Sequence, residues 1–196
     1  LFFVVYLGLD RSAADLGIKD YSVFLFDSPD SREQYDGCSD PEKSFVIANC
    51  LNTVIPDASP ENTCIVSLTT MLSEEAWGTV KAEDYKKLKN RIASRMIATY
   101  EKRLGVSICP YIEEIAVAAP PTFARYLNTP NGTPYGYEIQ PWDTVIARTM
   151  SSRSEQFIRN LYFVGAHAER GDGYSSTYAN GISVGEKIAK EMNKSE

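Results

Sequence analysis

A glycine-rich corner near the C-terminal end constrains this chain more than any other stretch. Leu161-Tyr-Phe-Val164 is a short apolar run closed by Gly165, and such a run reads as a buried strand. Gly171-Asp-Gly173 follows, a turn in which backbone can approach a neighbour closely. A helix is expected to begin around Ser175 to Thr177, with serine and threonine as candidate N-caps. Tyr178, Ile182, Gly185, Ala189 and Met192 recur at helical spacing and are expected to form its buried face. Gly181 and Gly185 lie one turn apart. Each costs about 1 kcal/mol against alanine in a helix interior, so the pair points to a close neighbour. A helix N-terminus aims free N–H groups and partial positive charge at whatever precedes it. That suits a phosphate or an electron-rich ring edge.

Three functional readings compete for this corner. Gly171-Asp-Gly-Tyr-Ser-Ser176 nearly matches a GxGxxG dinucleotide fingerprint, but a complete nucleotide unit needs a second parallel strand after the helix. Gly173-Tyr-Ser-Ser-Thr177 half-resembles a serine-hydrolase elbow. Its last glycine is missing, and the only histidine, His167, precedes the serine instead of following it. The third reading is half of a cofactor site whose other half lies outside the chain. The plain structural alternative is a corner that merely closes a domain.

The residues Asn160-Leu-Tyr-Phe-Val-Gly-Ala166, the glycine turn and a helix ending Gly185-Glu-Lys-Ile-Ala189 resemble the last motif of the FAD-dependent amine-oxidase and phytoene-desaturase superfamily. Upstream, Thr122-Phe-Ala-Arg125-Tyr126, Pro130-Asn-Gly132 and Tyr135-Gly136 resemble its desaturase, isomerase and retinol-saturase branch. Together the motifs cover the last two-fifths of the chain.

The resemblance implies FAD as cofactor, with Gly165, Ala166, Asp172, Gly173, Ser176, Thr177 and Tyr178 on the cofactor side. The amides of Thr177 and Tyr178 would face the flavin pyrimidine edge, and Asp172 the ribityl hydroxyls. Tyr135, Tyr137 and Trp142 would wall the substrate; the plain alternative is a loop pinned by aromatic packing. No catalytic residue is identified, and His167 reads first as a loop histidine. The family opens with a GxGxxG that this chain does not carry. The expectation is therefore a C-terminal fragment, whose partner is the missing N-terminal FAD-binding segment of the same protein. Alone, it should be inactive and bind FAD weakly or not at all. The implied substrate is a small apolar polyene or isoprenoid-like molecule. An amine, as in the sister branch, and a non-catalytic domain that binds a partner or lipid are the alternatives.

Composition narrows the partners. A net charge of −6 and a pI of about 5.0 argue against nucleic acid or anionic membrane as the main partner. The opening run Leu1-Phe-Phe-Val-Val-Tyr-Leu-Gly-Leu9 is too short to span a bilayer and has no basic residues before it. Cys38, Cys50, Cys64 and Cys109 show no CxxC spacing, so no metal site is expected. Scattered cysteines without a secretion signal fit a reducing cytoplasm, with peripheral membrane association left open.

The remaining pattern is α+β. Strands are expected over residues 1–9, 21–26, 45–49, 64–70 and 111–119, with a short helical turn at 31–36. Turns rather than long helices join the first four, which implies a mostly antiparallel sheet. Residues 81–104 form the one long helix, with Tyr85, Leu88, Ile92, Met96, Tyr100 and Leu104 as its stripe and Gly105 as its stop. Lys86, Lys87, Lys89, Arg91 and Arg95 read as its solvated face, and Arg125 as a partner for Glu113 or Glu114. Pro120-Pro121 opens a short helix. Residues 1–150 thus read as a substrate-domain-like region. Residues 151–196 read as the C-terminal β–loop–α portion of an FAD-binding domain.

Overall fold

The computed structural model of the chain describes residues 1–135, 142, 144, 146–148, 150, 158, 161–165, 168 and 173–193. It divides into two compact units, Leu1–Pro134 and Tyr135–Glu196.

The first unit is built on a five-stranded sheet. Strands β1 (Phe2–Leu9), β2 (Ser22–Leu25), β3 (Val46–Cys50), β4 (Cys64–Met71) and β5 (Ile112–Ala118) lie in the order β2-β3-β4-β1-β5. Every neighbouring pair is antiparallel, as the turn-linked strands imply. Side chains alternate across a strand, and the sequence uses that alternation. Phe3, Val5, Leu7 and Leu9, with Val46, Ala48, Cys50, Cys64, Val66 and Leu68, bury one face.

Helix α3 (Tyr85–Leu104) supplies much of the other side of this core. Ile92, Met96 and Tyr100 of the expected stripe are buried, together with Ala93 and Ile97. The helix starts at Tyr85, later than residue 81, and ends on Gly105 at φ 66, the left-handed conformation glycine adopts without a Cβ clash. Glu101 then accepts the N–H groups of Ile108 (2.7 Å) and Cys109 (2.8 Å), closing the turn beyond.

Arg95 departs from the solvated face. It donates to the Ser44 carbonyl at 2.8 Å and its hydroxyl at 3.0 Å, and burial pulls its pKa down. An arginine with a long apolar stem can leave a helix face when a carbonyl meets its guanidinium.

Three short helices complete the unit. Asp30 caps α1 (Ser31–Gly37) and Ser73 caps α2 (Glu74–Gly78), whose Trp77 enters the core. The Ser73-Glu-Glu75 start signal for α2 was legible in sequence but not read. Helix α4 (Pro120–Leu127) begins on the two prolines, and the Thr122 hydroxyl accepts the Ala119 N–H at 3.2 Å. The Asn131-Gly132 turn folds back on it. A Cβ on Gly132 would stand 2.0 Å from the Pro120 carbonyl oxygen, so only glycine fits there. The expected Arg125 pairing is not made: Arg125 is exposed and, among the described residues, bridges neither Glu113 nor Glu114. At the end of α4 its side chain gains nothing from desolvated pairing.

Cys50 and Cys64 are both buried, as free thiols. The Cys64 thiol lies against Cys50, and its hydrogen bond lowers the Cys50 pKa to about 7 while the Cys64 pKa rises.

In the second unit residues 146–148 and 150 are helical, and the long helix is α5 (Tyr174–Asn193). Residues 161–164 do not form the expected strand; they pair with no described strand, and Leu161, Phe163 and Val164 are exposed. An apolar run becomes a strand only when a neighbour accepts its ladder hydrogen bonds.

Candidate cofactor-edge site

The helix start decides what this corner offers. Helix α5 begins at Tyr174, one to three residues earlier than expected. The first intrahelical bond runs from the Thr177 N–H to the Gly173 carbonyl, 3.0 Å. Gly173 is therefore the N-cap, and Ser176 sits in the first turn instead of capping it. The Thr177 amide is consumed by the helix and is not free to face a ligand, which corrects the donor assignment. The amides ahead of that bond belong to Tyr174, Ser175 and Ser176.

Two glycines bracket the turn at positive φ: Gly165 at 107° and Gly173 at 96°. A side chain at either would be strained. Among the described residues no atom lies within 4 Å of where a Cβ on either would stand. The first turn of α5 contains no acidic residue, and its cap has no side chain. By contrast Asp30 accepts the Arg32 and Glu33 amides in α1, and Ser73 accepts the Ala76 amide in α2. Among the described residues no side chain caps the donors and dipole at the start of α5; α3 likewise starts without a side-chain cap bond.

The inward face of α5 is not the one its apolar spacing implies. Tyr178 is 70% exposed, and Ile182 and Met192 are similarly open. Gly181 and Gly185 have no described atom near a notional Cβ, so the close neighbour inferred for them is absent among the described residues. Within the helix the more buried positions are Ser176, Thr177, Ala179, Asn180, Val184, Lys187 and Ile188. Asn180 is buried, and its side-chain oxygen accepts the Gly165 N–H at 3.2 Å. Lower down, Tyr162 donates to Glu191 while Lys187 lies 5.9 Å from the Tyr162 ring centre. Sequence reading missed Asn180 and Tyr162. An asparagine inside an apolar-patterned helix was the available signal, since such a residue is a weak helix former.

The remaining expected site residues divide as follows. Gly165, Gly173, Ser176, Thr177 and Tyr178 lie around the turn and the first turns of α5. Ala166, Asp172, Tyr137 and His167 lie outside the described residues. Tyr135 and Trp142 are both exposed, Trp142 the more so. Among the described residues no helix is long and apolar enough to cross a membrane, and no cluster of three metal-capable side chains occurs.

The chain thus combines an antiparallel-sheet unit with a second unit whose long helix starts on a glycine. No protein-family model matches it. It is 28% identical over 142 residues to a prolycopene isomerase of Daucus carota, covering 68% of this chain and 21% of that one. It is 24% identical over 191 residues to a phytoene desaturase of Fusarium fujikuroi, covering 87% of this chain and 33% of that one. A prolycopene isomerase of Arabidopsis thaliana is 25% identical over 142 residues, covering 68% and 22%. These homologies are weak but extend over much of the chain, and they support its kinship with the carotenoid desaturase and isomerase branch of the amine-oxidase superfamily. The matched region spans between about a fifth and a third of those relatives' length.

Proposed function

We propose that this chain forms the substrate-side sheet and the cofactor-edge helix of an FAD-dependent oxidoreductase. The full protein would act on C–C bonds of an apolar polyene or isoprenoid-like substrate. The observation that carries this reading is the start of α5, where the helix opens on Gly173 at positive φ and the amides of Tyr174, Ser175 and Ser176 precede the first helical bond, with no described side chain capping them. The similarity to a phytoene desaturase and to prolycopene isomerases supplies the substrate class.

The residues present fit one edge of a flavin. An electron-rich pyrimidine edge takes backbone donors and a positive dipole, and the helix start offers both. Gly165 and Gly173 would let backbone approach the ring; Tyr174, Ser175 and Ser176 would present their amides. Thr177 and Tyr178 would line the same turn through their side chains, with Ala166 and Asp172 as further cofactor-side candidates. When bound, the flavin would supply hydride transfer, chemistry that belongs to the cofactor. The chain's own part is to orient the ring and favour negative charge at its pyrimidine end. Tyr135, Tyr137 and Trp142 are proposed to border the apolar substrate. The remaining FAD contacts would come from a GxGxxG segment of the same protein outside the matched region. The isolated chain is then expected to be inactive and to bind FAD weakly.

Gly173→Val in the full-length protein tests the reading. A branched side chain at positive φ should deform the turn and sharply reduce bound flavin, read from absorbance of the purified protein, while the sheet unit melts unchanged. Full occupancy in the variant would mean that the corner is not where the cofactor sits. Titration of the isolated chain with FAD is the companion test, and sub-micromolar affinity would contradict a half-site.

A further inference from the structure

The buried face of α5 is led by a polar residue. Of the described residues in this 20-residue helix, Asn180 alone is fully buried, at 2% exposure. A polar side chain is costly to bury unless it is hydrogen-bonded, and this one has a specific partner. Its oxygen accepts the N–H of Gly165 at 3.2 Å, the first residue after the extended run. Gly165 is also one of the two positive-φ residues bracketing the turn. The bond therefore joins the entrance of the turn to a point about two helical turns beyond its exit. At the exit, Gly173 is joined to Thr177 by the first helical bond. A second local tie runs from the Ala168 N–H to the Gly165 carbonyl at 3.1 Å. Gly165 is thus held through both its amide and its carbonyl.

We infer that Asn180 is a positioning residue: it fixes Gly165 against α5 and so sets where Gly165 stands relative to the helix start at Gly173. The inference rests on the flavin-edge reading of that corner and adds to it the residue that holds the corner's shape. Asn180 touches no cofactor in this role; it acts through Gly165. Asparagine suits it because its short side chain reaches backbone and presents an acceptor oxygen there.

The test uses the full-length protein with three chains: wild type, Asn180→Leu and Asn180→Asp. Leucine keeps the volume and removes the acceptor; aspartate keeps an acceptor in the same position. Flavin affinity, the position of the bound flavin's visible absorption bands and the melting temperature of the apoprotein are measured for each. Loss of one buried hydrogen bond should weaken flavin binding by about tenfold or more in Asn180→Leu, shift the absorption bands, and leave the apoprotein melt of the sheet unit in place. Asn180→Asp should restore most of the affinity and the band positions. Amide exchange at Gly165, followed in the apoprotein, should speed up in Asn180→Leu and not in Asn180→Asp. If Asn180→Leu keeps wild-type affinity and spectrum while Gly173→Val loses flavin, the positioning role is wrong and the flavin-edge reading stands. If wild type binds no flavin, both fall together. If both variants merely lower the melting temperature equally, with unshifted bands, the residue is structural and the inference is overturned.

Discussion

The two units treat the same sequence ingredients in opposite ways. In the sheet unit, apolar alternation points inward, and two helix starts and one helix end are closed by the chain's own side chains. Asp30 and Ser73 cap α1 and α2, and Glu101 closes the turn after α3. In the C-terminal unit the apolar positions Tyr174, Tyr178, Ile182 and Met192 are exposed, an asparagine is buried, and the helix start is capped by a glycine. A unit that satisfies its own donors and buries its own stripe has little left for a ligand. A unit that does neither has both a donor set and apolar surface to offer. The glycines differ too: a side chain on Gly132 would collide with backbone, whereas no described atom lies within 4 Å of a Cβ placed on Gly165 or Gly173.

That contrast can be broken most severely at Gly132. Gly132→Val places a Cβ against the Pro120 carbonyl at φ 74, and should cost the sheet unit about 3 kcal/mol or more. Gly173→Ala, with the same backbone sign but no described atom within 4 Å of the added Cβ, should cost about 1–2 kcal/mol. Denaturant melts of the two variants compare them directly; equal losses would remove the distinction between a packed and an open glycine. A second pair probes the apolar stripes. Met96→Ala removes a fully buried side chain and should cost about 2–5 kcal/mol. Ile182→Ala, on the exposed face of α5, should change stability of the chain by about 0.5 kcal/mol or less. A large loss at Ile182 would show that this face is covered in solution.

Smaller effects sharpen the picture of the sheet unit. Alkylation of the native chain at pH 8 should modify Cys109 first, because it is exposed, and Cys38 later, because burial raises its thiol pKa. Cys50 and Cys64 should react only on unfolding, even though the Cys50 thiol is lowered to about 7, since access limits the rate. Peptide mass spectrometry against time reads the order. Smallest of all, Arg91→Ala removes an ion pair with Glu42 at 2.6 Å whose partners are both substantially exposed. It should cost less than about 1 kcal/mol.

How much was legible in sequence differs between the units for one reason. The five strands, their antiparallel pairing, the α3 stripe and the Gly105 stop all follow from local spacing and from backbone preferences that a residue carries with it. In the sheet unit neighbours within reach made each local preference come true. The start of α5 was misplaced because a cap is settled by which carbonyl closes the first turn, and here Gly173 outcompeted the serines. Of the candidate site, the glycine turn and the helix behind it were readable. The bond from Gly165 to Asn180 was not, since it joins residues 15 positions apart. The strand at residues 161–164 and the inward face of α5 also needed a neighbour to be decided. Sequence by itself determined where the chain is apolar, where it turns and where it can be helical. Tertiary structure decided which face is covered, which amides remain free and which polar side chain holds the turn, because each depends on the element brought alongside and not on the residue alone.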